Sequence, residues 1–72
     1  MVKIKVKSIN QAVKYLEMAY FEKLPYDLQI GFDEVKDQKK AYYTVEIGTD
    51  EETFKDLTGW RGLFRHEIIE TA

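Results

Sequence analysis

The stretch from Tyr26 to Gly48 constrains the fold of this chain more than any other. Tyr26, Leu28, Ile30 and Phe32 alternate with Asp27, Gln29, Gly31 and Asp33. After Lys36 to Lys40, Ala41, Tyr43, Val45 and Ile47 alternate with Tyr42, Thr44, Glu46 and Gly48. Successive strand side chains point to opposite faces, so each run has one apolar and one polar face. Two such runs joined by a charged turn predict a hairpin. The turn holds no Gly and no Asn-Gly pair, which predicts a four- or five-residue loop rather than a tight primed turn. Glu34-Val35 breaks the alternation, as a bulge or a frayed end would.

The segments on either side read as follows. Val2, Ile4 and Val6 alternate with Lys3, Lys5 and Lys7, a strand with one buried face. Ser8 then takes an N-cap position, with Gln11 completing a capping-box pattern. Ile9, Ala12, Val13, Leu16, Ala19, Tyr20 and Leu24 fall on one helical stripe, and Pro25 ends it. The expected helix runs from about Ile9 to Lys23. Thr49 to Glu52 is a second capping-box pattern. Phe54, Leu57, Trp60, Phe64 and Ile68 continue one apolar stripe, interrupted by Gly59 and Gly62. This favours helix, a turn near Gly59, then helix, with a strand from Leu63 to Ile69 as the alternative.

The order β-α-β-β-α gives an α+β fold: a three-stranded antiparallel sheet in the order 1-3-2, both helical elements on its apolar face. The first strand, with three lysines, suits an edge, because edge lysines discourage pairing with other chains. The 72 residues form one domain, 1–72. A core this small supplies roughly 3–5 kcal/mol. The chain has no cysteine and one histidine, so disulfides are excluded and a structural zinc site nearly so. Homodimerisation is the other available support. Absence of cysteine fits a reducing cytoplasm. No apolar run reaches the ~20 residues of a membrane helix.

Chemistry is sparse. His66 with Glu67 or Glu70 lacks a nucleophile and an orienting group, because the one serine, Ser8, is committed to capping. A solvated helical histidine is the simpler expectation. The four glycines match no phosphate-binding loop, and the acidic residues match no calcium loop. No catalytic, cofactor-binding or metal-ligating residue is expected.

The charge is uneven: +3 over residues 1–25 and −5 over 26–72. Lys3, Lys5 and Lys7, with Tyr42 as a stacking ring, could form a nucleic-acid face. Cross-strand pairing with Glu46, Asp27 and Asp33 would cancel that field and is the favoured expectation. Trp60, Arg61 and Arg65 belong to the types enriched in binding hot spots. The competing expectation places Trp60 and Phe64 in the core and the arginines in solvent. Met18 and Phe21 lie three apart off the first helix stripe, backed by Tyr15, as a small patch for a partner or a dimer mate. The expectation is a non-catalytic interaction module, a regulator or inhibitor of a larger protein. The kind of regulator that mobile elements encode is included in that expectation. A nucleic-acid-binding domain is the alternative.

Overall fold

The computed structural model describes all 72 residues, Met1–Ala72. The elements are β1 (Val2–Val6), α1 (Ile9–Phe21), β2 (Tyr26–Val35), β3 (Gln38–Ile47), α2 (Glu51–Arg61) and β4 (Glu67–Thr71). They form an α+β fold with one antiparallel sheet in the order β2-β3-β1-β4. The expected 1-3-2 neighbours are present, but the sheet has four strands rather than three. β4 pairs along β1, so β1 is central and its lysines do not mark an edge.

α2 runs through Gly59, where a turn is expected, and ends at Gly62; a strand then stands in place of the expected last helix, nearer the alternative strand from Leu63 to Ile69. Gly62 takes a left-handed conformation (φ 70°), and Leu63 N–H donates to the Thr58 carbonyl, closing α2. Ile68 then pairs with Ile4, and a register shift beside Lys3/Ile4 takes up Ile69. α2 is capped by Asp50, which accepts from the Thr53 N–H, and not by Thr49. Hydrogen bonds from Thr53 hold the Asp50 carboxyl below its ordinary value. Ser8 caps α1 as its sequence predicts, accepting from Gln11 N–H.

The core is built from β1 (Val2, Ile4, Val6), β3 (Val45, Ile47), α1 (Ala12, Tyr15, Met18, Ala19) and Phe54 of α2. Burying each of the larger side chains contributes roughly 1.5–3 kcal/mol. The inner face of α1 is therefore rotated roughly a quarter turn from the predicted stripe, at 100° per residue. Tyr15 and Met18 are fully buried, while Ile9, Val13 and Tyr20 are exposed. Trp60 and Phe64 are likewise outside the core, at 85% and 72% exposed. α2 presents Phe54 and Thr58 inward instead, with the Thr58 hydroxyl donating to the Phe54 carbonyl.

β2 and β3 are ten residues each, twice the length of β1 and β4. β1 covers β3 only from Tyr43 to Ile47. Beyond that row the hairpin is a two-stranded arm. Its turn is two residues, Lys36-Asp37, both left-handed (φ 51° and 64°), between the paired Val35 and Gln38. This is the primed geometry, not the expected longer loop, and Glu34 and Val35 stay in register without a bulge. The twist of the two strands selects the primed turn even though neither residue is glycine.

Candidate functional site

The residues singled out from the sequence separate into two loci, a charged outer sheet face and a buried remainder. Met18 is the remainder. At 0% exposure it is part of the core.

The first locus is an aromatic ridge where the C-terminal ends of α1 and α2 meet. Arg61 Nη2 lies 3.3 Å from Glu22 Oε1, tying the two helices together. That bond steers the guanidinium to 6.0 Å from the centre of the Phe21 ring, within cation–π reach. Tyr20 packs edge-on against Phe21 at 5.7 Å. Trp60 stands next to Arg61 with 85% of its surface in solvent. Two exposed rings and a held arginine thus share one surface, and Trp60 follows on the neighbouring side of α2. Phe21 and Arg61 are brought together here, Trp60 adjoins them along α2, and Tyr20 joins them although the helical stripe points it inward.

The second locus is a cleft of about 830 Å³ at the end of the sheet where β1 leaves for α1. Its cationic lining comes from Lys5 and Lys7 of the β1 end, Lys40 of the arm, and Arg65 of the loop before β4. Phe64 and Tyr42 supply rings. Lys5 is neutralised by Asp33 at 3.1 Å, and its ammonium lies 4.2 Å from the Tyr42 ring centre. Lys7, Lys40 and Arg65 have no ion-pair partner.

The outer sheet face itself is a ladder of opposite charges. Lys3 faces Glu46 on β3 and Glu70 on β4, and Lys5 faces Thr44 and Glu67. Lys3 Nζ is 3.7 Å from Glu46. The Tyr42 ring leans across Gly31, where an added Cβ would stand 2.4 Å from its Cζ. The Gly31 backbone and the Lys5 ammonium both crowd that ring. Lys3 belongs to this ladder and not to the cleft.

His66 is neither solvated nor helical. It lies half-buried between Tyr15 and Phe54, edge-on to both rings at 5.1 and 5.3 Å. Tyr15 Oη and His66 Nδ1 share a short hydrogen bond. Burial pushes the Tyr15 phenol up to about 12, against a smaller opposing pull from the Arg65 backbone. Burial also lowers the His66 pKa below its ordinary value. Two neutral groups share one proton bridge across a separation of 51 residues. With the phenol donating to Nδ1, the imidazole proton sits on Nε2. This bridge pins the loop that carries Arg65 to α1, so it shapes the cleft wall. No local signal in the sequence joins Tyr15 to His66.

No helix is long and apolar enough to cross a membrane. No protein-family model matches the chain, and no curated protein or solved structure matches it either.

Proposed function

We propose that the protein is a non-catalytic docking module that regulates or inhibits a larger protein through the ridge of Tyr20, Phe21, Trp60 and Arg61. The observation that carries this reading is Trp60, 85% exposed and next in the chain to an arginine that Glu22 already holds in place. A large ring left in water costs the folded chain solubility and adds nothing to its core. Trp, Tyr and Arg are the side chains that dominate binding energy when a partner desolvates them. Fixing Arg61 in advance reduces the entropy lost on association. Met18 plays no part, and Arg65 and Tyr42 lie at the other locus.

The test uses tagged protein in lysate of the source cell, comparing wild type with a Phe21→Ala/Trp60→Ala variant. Both side chains are exposed, so the variant should keep its fold by circular dichroism. Loss of a specific captured protein supports the ridge. Equal capture by both forms counts against it.

A second reading is favoured by the three unpaired cations of the cleft. Lys7, Lys40 and Arg65 could hold the phosphates of a single-stranded nucleic acid, with the 72% exposed Phe64 ring stacking on a base. Three phosphate contacts predict a slope of about −2 in log K against log salt. A Lys7→Glu/Lys40→Glu/Arg65→Glu variant should abolish binding to a labelled oligonucleotide. The absence of any wild-type binding at low salt would remove this reading.

A further inference from the structure

We infer that β2 is the pairing edge for a second copy of this chain, and that two copies join antiparallel about a two-fold axis at Gly31 into one eight-stranded sheet. The inference rests on the backbone pattern of the arm, on its side chains, and on the charges that choose the register.

Gly48 N–H donates to the Pro25 carbonyl, and the hairpin register continues from that pair to Val35 opposite Gln38. In an antiparallel ladder, hydrogen-bonded pairs alternate with non-hydrogen-bonded ones. The odd residues of β2 therefore bond to β3. The N–H and C=O groups of Leu28, Ile30, Phe32 and Glu34 point outward, where no strand lies. Such a row is a ready template for another strand, and proteins usually blunt it with lysine, proline or a bulge. β2 has none of the three. The other unpaired edges are protected. β4 is five residues long with a register shift. The free part of β3, Gln38–Tyr42, carries Lys39 and Lys40.

The side chains above this edge are equally unfinished. Ile30 and Phe32 are on the helix side of the sheet yet 61% and 64% exposed, because the arm outruns the helices. With Gly31 on the two-fold axis, Ile30 lies opposite Phe32 of the partner subunit, and the same pair recurs across the axis. Four apolar side chains then form one cluster. Asp33 falls opposite Gln29 and Asp27 opposite Val35, so no like charges meet. Moving the axis to Ile30 sets Asp27 against Asp33, and moving it to Phe32 sets Asp27 against Asp37. Like charges directly opposite destabilise a pair of strands. The charges thus disfavour the registers one residue to either side of the one that sets Ile30 against Phe32. Residues 27–35 of each copy would pair over about 30 Å at ~3.4 Å per residue. A two-stranded arm, marginal alone, gains the further strand it lacks.

The first readout is mass by sedimentation of the wild-type chain up to millimolar concentration. The expected result is a species of twice 8.5 kDa. A Phe32→Lys variant should raise the dimer dissociation constant roughly tenfold or more. Trp60→Ala should leave it unchanged, which separates this edge from the ridge. The register is read by cross-linking, made simple by the absence of cysteine. Gln29 and Asp33 face each other as a non-hydrogen-bonded pair, with Cα atoms ~4.5 Å apart, within disulfide range. A mixture of Gln29→Cys and Asp33→Cys chains should form a disulfide-linked dimer on oxidation, and neither variant should do so alone. A single-chain mass throughout overturns the proposal. So does a two-chain mass that survives Phe32→Lys, or one that yields no selective mixed disulfide.

Discussion

The body of the molecule and the arm of its hairpin use the same strands and the same alternation, yet only the body is buried. Every core residue of β3 lies on its paired rows with β1, at Val45 and Ile47. Residues 29–42 contain none. Ile4 in the body and Ile30 in the arm read alike as sequence, and one is fully buried while the other is 61% exposed. The difference is supplied by length. Five-residue neighbours and two short helices can cover only half of a ten-residue hairpin. Alternation states which side chains share a face and leaves open whether anything covers that face. It follows that the body holds the stability of the chain, and the arm holds surface available for contact.

The largest expected effect tests this contrast directly. Phe54→Ala removes a fully buried ring stacked on Tyr15 at 6.3 Å and in contact with His66. The expected loss is about 3–5 kcal/mol, comparable to the whole stability of a chain this size. Phe32→Ala, the same chemistry in the arm, should cost no more than about 0.5 kcal/mol in the single chain. Urea unfolding at low protein concentration measures both. Similar midpoints for the two variants would break the division into body and arm.

That division also explains what was legible in the sequence. Strand periodicity gave β1, β2 and β3 and their mutual pairing, because period two runs unbroken through Val2–Lys7, Tyr26–Asp33 and Ala41–Gly48. It offered β4 only as an alternative, a strand from Leu63 to Ile69 in place of Glu67–Thr71. Ile68 and Ile69 are adjacent, and the register shift that accommodates them obscures the alternation. Gly62 after Arg61 was the available signal for ending α2, outweighed by a helical stripe that Trp60 and Phe64 happened to fit. For α1 the difficulty was an excess of apolar residues. Ile9, Val13 and Tyr20 define one stripe, Tyr15 and Met18 another, and local spacing does not rank them. The choice is made by Tyr15 meeting Phe54 and His66, contacts that depend on the whole fold. The ridge was half legible for the same reason. Its residue types stood out, but the exposure of Trp60 follows from where α2 stops.

The intermediate effect concerns the proton bridge that ties the body together. His66 has a lowered pKa in the fold, so below its ordinary 6.5 the unfolded chain takes up a proton that the folded chain resists. Stability should therefore be complete above 6.5 and decline as pH falls below it. Tyr15 behaves in the opposite sense. Its phenol titrates at about 12 rather than 10, so the unfolded chain loses its proton first. Stability should decline as pH rises from 10 towards 12. Tyr15→Phe removes the Tyr15 contribution at high pH and leaves Nδ1 without its donor, at a cost of about 1 kcal/mol for a half-buried group. Unfolding midpoints across pH follow both limbs. An alkaline decline that is unchanged in Tyr15→Phe would show that the phenol is not its source.

The smallest effect lies at the far end of the arm, and its sign is the informative part. Lys36 and Asp37 both sit in the left-handed region, where a side chain is strained and glycine is not. Asp37→Gly should relieve that strain without touching a packed residue, since both flanking strands are exposed there. The gain from relaxing the turn is of order 1 kcal/mol. Because the arm carries little of the global stability, most of that gain should appear locally. Hydrogen exchange of Val35 and Gln38, which pair across the turn, should slow in the variant. The urea midpoint should move less. A full gain in global stability with unchanged local exchange would mean that arm and body unfold as one unit. The sheet would then be cooperative to its tip, and the exposed side chains of the arm would share in the stability of the core.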